Sequence, residues 1–163
     1  MTALGAATAS STDEISAGLE KFAAVSNAVG LSYEYATSAL ATVTATTRQS
    51  ADVVGTAFKT LFARIQDLEL GKTLDDGTTL GKYSQALETV GVSIKTADGG
   101  LREMDDILSD LGEKWNSFDA EGNPLISDDA KIALAQTVAG VRQYTQLIAL
   151  MDNWDFMKEN LET

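Results

Sequence analysis

The side chains best able to do chemistry in this sequence are carboxylates. The chain contains 24 Asp and Glu residues, but no His and no Cys. Without His, a Ser–His–Asp triad is excluded, and the commonest general base and metal-binding imidazole are missing. Without Cys there is no thiol nucleophile, no disulfide and no thiolate metal site. Acid–base hydrolysis by two carboxylates is therefore the enzymatic reaction that has to be weighed.

Three carboxylate pairs lie next to each other in the sequence: Asp75–Asp76, Asp105–Asp106 and Asp128–Asp129. Glycoside hydrolysis needs two carboxyl groups that face each other across a cleft, at about 5–5.5 Å or about 6.5–9.5 Å. Adjacent residues on a helix point in different directions and do not converge on one bond. We therefore expect these pairs to be helix caps or solvated residues, and we expect the protein not to be an enzyme.

Two short motifs partly match the sequence patterns of ligand-binding loops, but each lacks a residue that the pattern requires. Asp119, Glu121 and Asn123 alternate as calcium-loop ligands do, but Pro124 stands at position six, where the loop needs Gly, and no Glu follows at position twelve. The segment 71–73 (GKT) lacks the upstream Gly of a phosphate-binding loop. The sequence predicts no metal site and no cofactor.

Negative charge is concentrated in one part of the chain. The net charge is −12, and the window 98–129 holds ten acidic and two basic residues, which gives −8 of that total. Nucleic-acid-binding surfaces need Lys and Arg to neutralise phosphates. We therefore expect no direct nucleic-acid binding. The acidic window is most simply a solvated helix face and loop, with a docking patch or a cation site as the alternatives.

The elements that hold these residues are predicted to be helices. A length of 163 residues with 44% hydrophobic residues and a single Pro fits one helical domain. Apolar residues at helical spacing form six runs, several of which start at Ser and end at Gly. The runs begin near Ser11, Ser32, Ser50, Leu80, Met104 and Ser127. We expect an all-α fold, a compact bundle of about six helices.

Two local predictions accompany this bundle. The last run continues from Asp128 to Met151 and predicts one helix of roughly 36 Å at ~1.5 Å per residue. The alternation in 92–95 (VSIK), followed by 98–100 (DGG), predicts one very short β-hairpin near residues 92–102.

The chain divides into an N-terminal stretch and one helical module. Residues 1–10 are interpreted as a loose tail or as the start of a segment cut from a longer protein, and residues 11–163 as the module. The stretch Phe22–Thr47 carries Glu34 as its only charge. Its small polar residues argue against a membrane-spanning helix, which needs about 20 predominantly apolar residues. A membrane-active module that helps form a channel for DNA remains the alternative function.

Four stretches, taken in order, resemble a known family. They are 55–66 (GTAFKTLFARIQ), 87–94 (LETVGVSI), 106–115 (DILSDLGEKW) and 133–154, with ALAQTVAGVRQY leading into LMDNW. Together they resemble the core region of phage tail tape measure proteins. Each stretch alone is weak evidence, and the shared order carries the resemblance.

The resemblance implies a structural function. Tape measure proteins are long, largely helical minor tail proteins that lie inside the tail tube and set its length during assembly in the host cytoplasm. They leave at infection and help the genome to cross the cell envelope. Implied partners are tail tube proteins, tail tip proteins and tail assembly chaperones. We also expect self-association of the full-length protein, and membrane contact at infection. Because such proteins are much longer, the chain resembles an excised module.

The residues expected to carry this role are packing residues. They share an apolar or aromatic side chain that is expected to point inward and pack, and they are Phe58, Leu61, Phe62, Ile65, Trp115, Val138, Val141, Tyr144 and Trp154.

Overall fold

The computed structural model of the protein describes residues 12–162, and in that range the chain is all-helical without a β-sheet. The predicted tail, residues 1–10, and the predicted cap at Ser11 lie outside the described residues. Eight helices follow one another: α1 (Thr12–Ala28), α2 (Tyr33–Thr47), α3 (Ala51–Glu69), α4 (Leu80–Thr89), α5 (Met104–Trp115), α6 (Asp128–Ala139), α7 (Tyr144–Asp152) and α8 (Trp154–Glu162).

Hydroxyl side chains start four of these helices. The Oγ atoms of Ser32, Ser50 and Ser127 and the Oγ1 atom of Thr79 each accept a hydrogen bond from a backbone N–H of the first turn, at 3.2 Å. Such caps satisfy N–H groups that have no partner within the helix. The predicted starts at Ser32, Ser50 and Ser127 are confirmed, because this signal is local to the sequence.

Helix α2 lies at the centre of the bundle, where α1, α3, α7 and α8 pack around it. Every residue from Tyr35 to Thr44 is buried. Its hydroxyls bond to carbonyls of their own helix, as Thr37 does to Tyr33 (2.8 Å) and Thr42 does to Ser38 (2.7 Å). The nearly uncharged stretch is thus the core of the fold. In the part of the chain described, no helix combines the length and apolarity needed to cross a membrane.

Helices α1 and α3 pack together more extensively than any other pair of helices in the described range, because two glycines face each other where the helices cross. A Cβ atom built on Gly55 would lie 2.5 Å from the carbonyl oxygen of Gly18. Beside this crossing, the Phe22 ring lies 5.4 Å from the Phe58 ring and 6.2 Å from the Phe62 ring, centroid to centroid. Small residues therefore let the backbones touch, and aromatic rings fill the space next to them.

The expected number of helices is too low because the last predicted helix is broken. Residues Asp128–Met151 do not form one helix: α6 ends at Ala139, Gly140 has φ +86°, and α7 begins at Tyr144. A helix needs negative φ, so the chain turns at Gly140 although the apolar periodicity continues past it. A further short helix, α8, follows α7 at Trp154.

The expected β-hairpin is reduced to a turn. A single antiparallel bridge joins Lys95 to Leu101, with no strand on either side. Val92 and Ile94 are buried and anchor the segment, while the turn itself is exposed. A second isolated antiparallel bridge joins Phe118 to Pro124, between α5 and α6.

The α1–α3 crossing predicts opposite effects for two Gly→Ala substitutions. Gly55→Ala forces the helices apart, and we expect it to lower the free energy of unfolding by about 1–3 kcal/mol through overpacking. Gly81, in α4, is the matched control, because its Cβ would meet no atom nearer than 3.8 Å. Gly81→Ala should be neutral or stabilise by up to about 1 kcal/mol. Urea denaturation of both variants measures this, and equal effects would contradict the close crossing.

Candidate functional site

The predicted packing residues fall into three groups of exposure. Seven are buried, with 0–3% of their surface exposed: Phe58, Leu61, Phe62, Ile65, Trp115, Val138 and Trp154. Tyr144 is partly buried and packs against the core. Val141 is 71% exposed, so its predicted inward position is wrong. The prediction assumed an unbroken helix, and Val141 lies in the break after Gly140, where helical spacing no longer sets the direction of a side chain.

Trp115 links the end of α5 to the end of α7 through a hydrogen bond. Its ring is buried, and its Nε1 donates to Oδ1 of Asp152 at 2.8 Å. The neighbouring Asn116 donates from Nδ2 to the carbonyl oxygens of Gly112 and Met151, both at 2.9 Å. The bond to Met151 satisfies a carbonyl of the last turn of α7, which has no partner within that helix. Two side-chain donors therefore join two helix ends.

Trp154 continues this junction into α8. Its ring covers Gly112, where an added Cβ would overlap it, and lies 6.2 Å from the ring of Tyr35. Burial, reinforced by the carboxylates of Asp105, Asp106 and Glu113, raises the pKa of Tyr35, so its hydroxyl is neutral at physiological pH. The arrangement brings α2, α5 and α8 together around one aromatic pair.

The start of α5 is docked on the turn between α1 and α2. The backbone N–H groups of Met104 and Asp105 donate to the carbonyl oxygens of Val29 (3.0 Å) and Gly30 (3.3 Å). In return, Oδ1 of Asp105 accepts from the backbone N–H of Ser32 at 2.9 Å. This carboxylate, one of the catalytic candidates, therefore has a structural role. Sequence reasoning missed it, because the contact joins residues 73 positions apart.

Arg64 joins α3 to the loop before α4 and to the end of α6. Its Nη1 donates to Oδ2 of Asp76 (2.9 Å), and its Nη2 donates to Oγ1 of Thr78 (3.0 Å) and to the carbonyl oxygen of Thr137 (2.9 Å). Hydrogen bonds from Thr78, together with the Arg64 guanidinium, hold the pKa of Asp76 below its usual value. A cation at the carboxyl end of α6 also matches the helix dipole. Sequence reasoning did not assign Arg64 this role.

The remaining carboxylate candidates do not converge. Asp128 and Asp129 lie exposed in the first turn of α6. Oδ1 of Asp119 accepts from the backbone N–H groups of Glu121 and Asn123, both at 2.9 Å, so it stabilises its own loop. Within residues 12–162, no three Asp or Glu side chains are grouped so that they could hold a metal ion.

One carboxylate is perturbed by its surroundings. Burial raises the pKa of Glu69, at the end of α3, to about 7. The negative charge of Glu69 influences the pKa of Tyr83. Tyr83 is a fully buried residue of α4 whose hydroxyl lies 3.8 Å from Sδ of Met104. Burial first, and then the negative charge of Glu69, raises the pKa of Tyr83. Glu69, at the end of α3, therefore has a pKa near neutral pH and lies close enough to Tyr83 of α4 to influence it.

Comparison with known proteins identifies the family. The sequence model of the family described as phage-related minor tail protein matches residues 1–140, most of the chain. The chain belongs to this family. No solved structure matches it significantly. Membership makes the protein a structural component of a phage tail, associated with the virion, and suggests partners among other tail proteins.

The family match covers some of the contacts between helices in this minor tail protein and leaves others outside it. The α1–α3 crossing, the docking of α5 and the contact of Arg64 with Thr137 all lie within residues 1–140. The match ends at Gly140, where α6 ends, so α7 and α8 lie beyond it. Trp115 thus has its ring within the match and its hydrogen-bond partner, Asp152, outside it.

Trp115 gives a direct test of the packing role. We expect Trp115→Ala to lower the free energy of unfolding of this minor tail protein by about 3–5 kcal/mol, the usual cost of emptying an aromatic core site. Phe118→Ala is the control, because that ring is 65% exposed, and it should change stability by less than about 0.5 kcal/mol. Chemical denaturation measures both, and a small loss for Trp115→Ala would place its ring outside the core.

Glu69 predicts a pH dependence of stability. Since its pKa is raised from 4.5 to about 7 on folding, the folded state binds the proton more tightly than the unfolded chain. The contribution of Glu69 is therefore most favourable at low pH and is lost as pH rises towards about 7. We expect Glu69→Gln to be more stable than the wild type at pH 8 by roughly 1 kcal/mol after solvent screening. The gain should vanish near pH 4, whereas an equal gain at both pH values would exclude the titration of Glu69 as its cause.

Proposed function

We propose that this chain is a folded module of a tape measure protein, which acts in tail assembly and genome delivery as a structural element and not as an enzyme. The family assignment supports a tail role, and the four stretches in the order typical of tape measure proteins support the finer one. The module lies inside the tail tube. Its partners there are tube and tip proteins, with tail assembly chaperones in the host cytoplasm.

The observation that carries the proposal is the burial of ten consecutive residues of α2. A rod that measures length would be extended, and extending this chain would expose ten consecutive buried residues, Tyr35–Thr44, to water. Burial of apolar surface contributes about 25 cal/mol per Å², so extension is strongly unfavourable. The module is thus suited to docking, assembly or release, and other parts of the full-length protein would supply the ruler.

The acidic surface fits a place beside DNA. A chain of net charge −12 repels phosphates that share the same narrow space. Such a surface lets the genome pass the module without binding to it, which is useful for a component that is released with the DNA.

An in-frame deletion of residues 13–154 from the parental gene tests the proposal, with tail length read by electron microscopy. If these residues were a stretched helix, tails would shorten by roughly 210 Å, at ~1.5 Å per residue. A compact domain of this size has a diameter of only about 40 Å. We expect either no tails or tails shortened by no more than that diameter. Tails shortened by the full helical length would contradict the folded module.

A matched pair of point variants separates loss of folding from loss of length. Gly55→Leu disrupts the α1–α3 crossing without removing any residue, and Val53→Leu adds bulk at a half-exposed position of the same helix. We expect the number of complete tails to fall for Gly55→Leu and to stay unchanged for Val53→Leu. Normal tail numbers with Gly55→Leu, despite an unfolded module, would overturn a role for the folded state.

A further inference from the structure

A short hairpin-like loop projects from the bundle between α5 and α6. We call residues 117–125 the acidic hairpin. The backbone N–H of Leu125 donates to the carbonyl oxygen of Ser117 (2.9 Å), and that of Asp119 donates to the carbonyl oxygen of Asn123 (2.8 Å). Together with the bonds that Asp119 accepts through its own side chain, these contacts fix the conformation of the loop.

The acidic hairpin presents apolar side chains to solvent. Phe118 is 65% exposed and Leu125 is 54% exposed. Phe118 and Pro124 form an antiparallel bridge, and the hydrogen bonds on either side of it make them a non-hydrogen-bonded pair, in which side chains stand close together. A preformed, exposed aromatic–proline pair is typical of a contact surface.

Negative charge surrounds this apolar pair. The segment 116–129 contains four acidic residues and no basic residue. None of the four forms an ion pair with any residue in the described range 12–162. A partner for the acidic hairpin therefore needs an apolar recess with basic side chains near it.

The same chain carries such a recess. A groove of about 780 Å³ lies between α3, the loop 72–76 and the break 139–143, and we call it the basic groove. Val141, 71% exposed, and Leu74 supply apolar wall. Two of its cations are internally matched, Arg64 by Asp76 and Lys72 by Asp67.

The lining of the basic groove carries a net charge of +1, from four basic and three acidic side chains. Lys59 and Arg142 line it without an ion pair to any described residue, and Asp75 is the acidic side chain of the lining that lies outside the two ion pairs. This excess occurs in a chain whose net charge is −12. The groove is therefore complementary to the acidic hairpin in both charge and polarity.

The two surfaces lie at opposite ends of one helix. The acidic hairpin precedes the first residue of α6, Asp128, whereas the basic groove is formed where α6 ends, at Ala139 and Gly140. The 12 residues of α6 separate them by roughly 18 Å along the helix axis.

We propose that the acidic hairpin of one copy docks in the basic groove of a second copy, so that the chain associates head to tail. The contact joins two different surfaces and leaves one of each free, so it continues into open-ended chains. The inference goes beyond the proposed function and does not depend on the tape measure role. An interface of one loop is below the size of stable complexes, so we expect a dissociation constant of about 10 µM to 1 mM.

Sedimentation equilibrium of the 163-residue protein, from 10 µM to 1 mM, tests the association. The average mass should rise continuously with concentration and should fall again when NaCl is raised from 50 to 500 mM, because the salt screens the charges. A mass that stays that of the monomer at 1 mM would overturn the proposal, as would a mass that stops at the dimer.

Two variants in combination test the surfaces. Phe118→Ser removes the apolar tip of the hairpin, and the double substitution Lys59→Glu with Arg142→Glu reverses the charge of the groove. Each variant alone should associate at least tenfold more weakly than the wild type. Mixed in equal amounts, they should form a dimer and nothing larger, because each supplies the surface that the other has lost.

Control variants and the contrary outcomes complete the experiment. Tyr33→Ser removes an aromatic ring of similar exposure, 64%, and Lys95→Glu reverses an exposed charge, both outside the two surfaces. These should associate like the wild type, and circular dichroism should show all variants folded. Association of either hairpin or groove variant with itself at wild-type strength, or failure of the mixture to form a dimer, would overturn the hairpin-in-groove contact.

Discussion

The structure depends on the burial of the middle of α2, residues Tyr35–Thr44, on all sides. The five Thr residues and Val43 lower the intrinsic helix propensity of α2, and its ten consecutive buried residues must be covered by other parts of the chain. Helices α1, α3, α7 and α8 provide that cover. The buried hydroxyls of Thr37, Thr42 and Thr44 do not oppose it, because each bonds to a carbonyl of its own helix. The remaining helices, α4, α5 and α6, pack around this centre.

Side chains that reach the ends of other helices hold the bundle in one arrangement. Arg64 donates to Thr137 at the end of α6, and Asn116 donates to Met151 at the end of α7. Asp105 receives the N–H of Ser32 just before α2. Apolar burial alone is non-directional, so these polar contacts specify which helix meets which. They also give Asp105, a carboxylate that was weighed as a catalytic candidate, a place in the scaffold.

Local signals in the sequence predicted the helix starts, whereas the contacts between residues far apart in the sequence could not be predicted from it. Ser32, Ser50 and Ser127 could be identified as caps because the bond is made to a residue three positions away. The break at Gly140 was missed, since the apolar spacing continues beyond it and Gly also occurs inside helices, as at Gly55. The roles of Arg64 and Asp105 depend on partners brought close only by folding, and no periodicity indicates them.

The positions of α1 and α8 have a mechanical consequence. Both pack against α2, and they stand at the two ends of the described range. Tension applied between residues 12 and 162 would load the α1–α3 crossing and the contact of α8 with α2 before any other. Loss of either contact would uncover part of α2. The contacts that bear the load are therefore the close approach of Gly18 to Gly55 and the packing of Trp154 against Tyr35.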